Sequence, residues 1–105
     1  MLNNATCFNN IYIVCGRTDL RYGIDSLAGV LRSLGIGNPA AANTLYLFCG
    51  RRSDRIKGLV WEGDSFLLLY KKLVNGSFQW PRNASEVKSI VVQLSRQKSK
   101  IFIMN

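Results

Sequence analysis

Two short runs, Ile11-Tyr12-Ile13-Val14-Cys15 and Leu45-Tyr46-Leu47-Phe48-Cys49, constrain this chain more than any other feature. Each has the length of a strand and no polar face. A strand of that kind is stable only when both of its sides are covered. Both runs lead into Gly-Arg, and the likeness is wider than the runs themselves. Tyr12-Ile-Val-Cys-Gly-Arg17 echoes Tyr46-Leu-Phe-Cys-Gly-Arg51 at an offset of 34 residues. Two matched pieces do not make a repeat protein. They describe two similar strands, and with a helix between them the strands can pair in parallel as a β-α-β unit. Both Gly-Arg loops then lie at one end of the sheet, whereas antiparallel pairing separates them.

The intervening helix is legible. Asp25 is placed to cap it, and Leu27, Val30, Leu31 and Leu34 form one apolar stripe. Gly35 sits where the helix ends, and Gly37-Asn38-Pro39 prevents continuation. After the second apolar run the pattern changes to a meander. Arg55 to Glu62 reads as a strand, Glu62-Gly63-Asp64-Ser65 as a turn and Phe66 to Leu73 as a strand. Asn75-Gly76 signals a two-residue hairpin, and Ser77 to Trp80 a third strand stopped by Pro81. Asn83 with Glu86 resembles a capping box ahead of a second stripe, Val87, Ile90, Val91 and Leu94. Ile101-Phe102-Ile103-Met104 is either a short strand or a frayed tail. The expected fold is α+β: a single small domain over 1–105, with a mixed or mainly antiparallel sheet of about five strands and two helices. Within it a C-terminal helix and tail cover 83–105.

Composition excludes several function classes. The chain has 105 residues, 48% of them hydrophobic, enough for a core. No apolar run reaches the roughly 18 residues of a membrane helix, and the N-terminus lacks the basic and apolar regions of a signal peptide. Histidine is absent, which removes Ser-His-Asp and Cys-His catalysis and every histidine metal site. Cys7, Cys15 and Cys49 are odd in number and form no C-x-x-C pair, so reduced thiols in a cytoplasm are expected. Cys15 and Cys49 read as buried apolar residues, although arginines nearby can lower a thiol pKa. The six acids are Asp19, Asp25, Asp54, Glu62, Asp64 and Glu86. Their spacing does not suggest the clustered carboxylates that two-metal chemistry needs. No catalytic residue, metal or cofactor is expected.

Charge points elsewhere. Fourteen Lys plus Arg stand against six Asp plus Glu, a net charge of +8. Arg17 and Arg21 follow the first apolar run; Arg51, Arg52, Arg55 and Lys57 follow the second. Guanidinium forks bind phosphate bidentately and never lose their charge, and adjacent glycines let a backbone approach a ligand. These six cations are the expected phosphate-backbone contacts. The competing explanation is a solvated rim partly paired with Asp19 and Asp54. Lys71 and Lys72 suit either phosphate contact or protection of a sheet edge. Lys88, Arg96, Lys98 and Lys100 make the C-terminal segment basic. Trp61, Phe66, Tyr70, Phe78 and Trp80 fall in the meander, where a small sheet's core is their ordinary role and base stacking the other one. Trp80, beside Pro81, is the expected exposed exception.

These residues also carry a resemblance. The stretches 15–28 (CGRTDLRYGIDSLA), 47–73 (LFCGRRSDRIKGLVWEGDSFLLLYKKL) and Phe78-Gln-Trp-Pro81 resemble the opening, central and closing signatures of one family. It is the second-open-reading-frame product, TnpB, of the insertion-sequence-sixty-six group, distinct from the RNA-guided nucleases that share the TnpB name. The likeness covers roughly residues 8–82. Position 17 departs from it, with Arg where a histidine or another polar residue is common. Gln97 to Asn105 also departs from the leucine-rich helical ending of the family. The resemblance implies an accessory factor of transposition, encoded beside a separate catalytic transposase, in a bacterial cytoplasm and at the nucleoid if it binds DNA. It carries over no catalytic residue; Arg17, Asp19, Arg21, Arg51, Arg52, Arg55 and Lys57 are the matching positions of functional weight. Transposon-end DNA and the transposase are the expected partners. The rival reading is a module that binds the transposase and never touches DNA. A third is a metal-dependent nuclease using Asp19, Asp25, Asp54 or Glu62.

Overall fold

The structure, a computed structural model, describes residues 8–86 and 100–104. The two apolar runs form strands β1 (Asn10–Val14) and β2 (Thr44–Cys49). They pair in parallel, with Ile11 opposite Leu45 and Tyr12 opposite Tyr46. The offset of the sequence echo is therefore the register of the sheet. Between them runs helix α1 (Ile24–Ser33), which buries Leu27, Ala28 and Leu31.

The helix begins earlier than its side chains suggest. Gly23 is the N-cap, with no side-chain capping bond, and Leu27 N–H already donates to Gly23 O at 3.0 Å. Asp25, expected as the cap, lies inside the first turn, where its charge meets the positive end of the helix dipole. The other end follows expectation. Gly35 takes φ +101°, Gly35 N–H donates to Arg32 O and Ile36 N–H to Leu31 O. That is a Schellman closure, with half-buried Ile36 packing back on the helix side of the core.

Strands β3 (Arg55–Trp61) and β4 (Phe66–Lys72) add antiparallel neighbours beyond β2. The ambiguous tail resolves as strand β5 (Lys100–Met104), parallel to β1 on its other side. The sheet order is β4-β3-β2-β1-β5, so the five-stranded sheet is mixed. One face carries Ile11, Ile13, Leu45, Leu47, Ile56 and Phe78. The other carries Tyr46, Phe48 and Leu59 against α1. Double-sided coverage is what β2, apolar from Leu45 to Cys49 and buried at every position, required.

Two expectations fail. Ser77 to Trp80 is not a strand. Phe78 N–H donates to Ser53 O at 2.6 Å, and Phe78 itself enters the core. The Trp80 indole N–H reaches Val14 O at 2.8 Å. The segment thus crosses the end of the sheet instead of pairing beside β4, and Trp80 is half-buried, not exposed. Gly76 supplies the one positive φ of the turn, +78°; Asn75 does not share it, so the two-residue hairpin geometry is not formed. The second discrepancy concerns the helices. Among the described residues α1 is the one α-helix, and Ala84–Glu86 is a single 3-10 turn. Asn83 caps that turn through Ser85 N–H. The Glu86 carboxylate, however, accepts from Arg82 Nε at 3.1 Å instead of closing the box on Asn83. The stripe Val87, Ile90, Val91 and Leu94 lies outside the described residues.

Candidate nucleic-acid interface

The topology sends five chain segments to one edge of the sheet. β1, β2, β4 and β5 end there, and β3 begins there. Ligands of open sheets with parallel strands gather at the carboxyl ends of those strands. Here both Gly-Arg loops occupy that position.

The first loop, Gly16 to Gly23, is stitched to the second. Thr18, buried, donates its N–H to Cys49 O at 2.8 Å. Leu20 packs against Gly50 so closely that a Cβ there would lie 2.8 Å from Leu20 Cγ. Lys57 donates from Nζ to Tyr22 O at 3.0 Å, tying the loop to β3. Together these contacts enclose a cleft of about 650 Å³. Arg17, Arg21, Arg51, Arg52 and Arg55 all line it, and so does Tyr70. A smaller hollow of about 180 Å³ shares Arg17 and Arg51 and adds Arg82 and Trp80.

The arginines divide into two kinds. Arg21 is held by Asp19: Nη2 to Oδ2 at 2.7 Å, Nε to Oδ1 at 3.0 Å, and the backbone N–H to Oδ1 at 2.9 Å. These bonds, the side-chain ones first, hold the Asp19 carboxyl down at about 2. Arg55 is held by Asp54 at 3.0 Å, which likewise lowers the Asp54 carboxyl. Arg17, Arg51 and Arg52 are exposed and meet no carboxylate among the described residues. The solvated-rim explanation thus accounts for Arg21 and Arg55. It leaves three guanidinium groups unneutralised in one cleft, where their mutual repulsion favours an anion.

Five of the six expected cations come together; Lys57 buttresses the loop instead of lining the cleft. Lys72 is paired across from Arg55 at the same edge, and the side chains of Lys88, Arg96, Lys98 and Lys100 lie outside the described residues. The sequence left Tyr70 between a core role, its ordinary one, and base stacking; the residue is 54% exposed on the cleft wall, not in the core. No sequence signal marked it; its place follows from the sheet register, which sets Tyr70 opposite Lys57 near the start of β3. Arg82 was also missed; its local pairing with Glu86 at 2.9 Å was not visible in the sequence.

Cys49 is a core residue, whereas Cys15, also expected to be buried, is half-buried. Burial pushes Cys49 up to about 11 and also raises Cys15. Nearby arginines do not lower either thiol: Cys49 shares the smaller hollow with Arg17 and Arg51, yet burial is the largest influence on both thiols. Among the described residues no three His, Cys, Asp or Glu could hold a metal ion, and no helix is long and apolar enough to cross a membrane.

Comparison with known proteins agrees with the resemblance. An uncharacterized protein of Sinorhizobium fredii, y4hO, is 35% identical over 71 residues, which is 68% of this chain and 61% of that protein. A second from the same organism, y4jC, is 27% identical over the same length, 60% of its own. The match thus spans about three fifths of the length of these relatives. No solved structure matches the chain. A match to the family described as IS66 Orf2 like protein runs from residue 9 to residue 104, taking in both Cys-Gly-Arg strands, the arginine cleft and β5; the chain belongs to that insertion-sequence family.

Proposed function

We propose that this chain is a non-catalytic accessory protein of insertion-sequence transposition, and that its arginine-lined cleft grips the phosphates of transposon DNA. Family membership supports the transposition role. One observation carries the grip: five arginines from two in-register loops and the start of β3 line one cleft, three of them without a carboxylate partner. Asp19 and Asp54 keep two of the arginines preformed, and the exposed three meet the ligand. The mechanism is electrostatic positioning. Phosphate contacts fix where the protein sits without reading sequence, and the seated protein helps the element's separate transposase assemble.

The test is binding of the purified protein to a terminal-repeat duplex and a scrambled duplex across a salt series, with Arg51→Ala/Arg52→Ala alongside. We expect salt-sensitive binding, with the variant's slope of log affinity against log salt shallower by about 1.8, or about 0.9 for each lost phosphate contact. Absence of binding to either duplex at low salt would sink the DNA reading. The transposase then becomes the partner to assay, with the same basic edge meeting an acidic surface.

A further inference from the structure

The cleft has a feature that duplex binding does not use. A duplex is a stiff rod with its phosphates on the outside and its bases stacked within; a flat or shallow basic face suffices to hold it. Here the arginines line an open cleft of about 650 Å³ that also presents an aromatic ring. Tyr70 forms part of its wall. The ring stands on edge strand β4 with 54% of its surface open. It lines the cleft together with Arg55. Packing does not account for the ring. The half-buried ring pair of this β-hairpin lies at the other end, where Trp61 and Phe66 meet edge-on at 4.9 Å. A π face beside several guanidinium groups is the combination that binds unpaired nucleotides: the ring takes the base and the cations take the backbone.

We propose that the cleft takes an unpaired segment of DNA, a single strand or a frayed duplex end, with Tyr70 stacking on a base while Arg17, Arg51 and Arg52 hold the adjoining phosphates. This rests on the phosphate-gripping role and narrows its substrate. Arg21 and Arg55, paired with Asp19 and Asp54, flank the seat. Tyr70 needs no particular base, since every base has a π face, so the preference is for unpairing and not for sequence.

The experiment compares a short single strand, the matching blunt duplex and the duplex with a single-stranded overhang, by fluorescence anisotropy at fixed salt. The proteins are the unaltered chain, Tyr70→Ala, Tyr70→Phe and Arg51→Ala/Arg52→Ala. We expect the single strand and the overhang to bind more tightly than the blunt duplex. Tyr70→Ala should lose about 5- to 150-fold on the unpaired substrates, the equivalent of about 1–3 kcal/mol of stacking. Tyr70→Phe, which keeps the ring, should stay within about twofold, and Tyr70→Ala should leave the blunt duplex unchanged. Because Tyr70 is exposed on an edge strand, Tyr70→Ala should keep its fold, which circular dichroism checks. Equal affinity for all three DNAs, or an equal loss on all three in Tyr70→Ala, overturns this inference; if Arg51→Ala/Arg52→Ala still weakens binding, the phosphate grip survives. Competition by deoxyadenosine monophosphate as effective as that of the strand would also overturn it, making the cleft a mononucleotide site. No binding to any DNA overturns both readings.

Discussion

The two Cys-Gly-Arg segments read alike and lie side by side in register, yet each is held by different physics. Gly16 turns the chain through φ +75°, and a Cβ there would meet nothing within 4 Å. Gly50 keeps a φ open to any residue, and its missing side chain makes room for Leu20. The first glycine is needed for its backbone and the second for its lack of volume. The acids differ too. Asp19 closes on Arg21 two residues ahead, through side chain and backbone; Asp54 reaches only its neighbour Arg55. One dipeptide can therefore mark two loops without fixing the reason for either, and substitution separates the reasons.

The largest difference concerns the cations. Arg51 and Arg52 are unpaired among the described residues, whereas Arg21 already spends Nε and Nη2 on Asp19. Charge-assisted hydrogen bonds contribute about 1.5–3 kcal/mol each. Arg51→Ala/Arg52→Ala should therefore weaken DNA binding by about 3 kcal/mol or more. Arg21→Ala should cost less than half of that, measured by titration at one salt concentration. Equal losses per arginine would show that net charge alone matters and that the pairing is irrelevant.

The glycines come next. Gly50→Ala forces a Cβ to within 2.8 Å of Leu20 Cγ, an overpacking worth about 1–3 kcal/mol in urea unfolding. Trimming the obstacle with Leu20→Ala should remove most of that cost, a coupling of about 1 kcal/mol between touching residues. Gly16→Ala should cost about 1–2 kcal/mol from the positive φ, the same with or without Leu20. If Leu20→Ala rescues both glycine variants, or neither, the distinction between the loops fails.

The thiols test the same pair of segments by rate. Cys49 is buried with its pKa near 11, while Cys15 is half-buried with a smaller rise. Thiolate is the reactive form. In a Cys7→Ser background at pH 8, alkylation should modify Cys15 well before Cys49. Cys49 should react only at the rate of unfolding.

What the sequence disclosed follows from the reach of each interaction. Strands β1 to β4, the apolar stripe of α1 and its glycine end rest on local pattern and backbone geometry, and these appear where expected. The echo between residues 12 and 46 even carried the register, because side chains that face the same neighbours at the same depth tend to be alike. Ser77 to Trp80 misled because β propensity describes a half-buried surface and says nothing of what lies across it. Those residues satisfy their backbone and indole on Ser53 and Val14, contacts that only the folded sheet end creates. In the site, the five arginines were legible from charge beside glycine. Tyr70 was not, since its exposure follows from β4 being an edge strand that α1 does not cover at that end.

The smallest effect, and the most direct probe of the acid latches, is titration of Asp19. Its carboxyl is held at about 2, below the ordinary 3.8, chiefly by the side-chain hydrogen bond from Arg21 and then by the Arg21 backbone N–H. A carboxyl depressed on folding adds stability above its unfolded pKa, and that stability fades as pH falls from about 4 towards the folded value. Arg21→Ala removes the principal cause, so carbon-detected NMR should show the Asp19 midpoint rising towards 3.8, while Asp54, paired elsewhere with Arg55, stays where it was. Asp19→Asn at neutral pH works in the other direction. It frees the Arg21 fork and removes one negative charge from the cleft, so DNA affinity should rise a few-fold with a steeper salt dependence. An Asp19 midpoint that ignores Arg21→Ala would mean that the latch does not form in solution. Arg21 would then be as free as Arg51, and the two loops would meet DNA as equals.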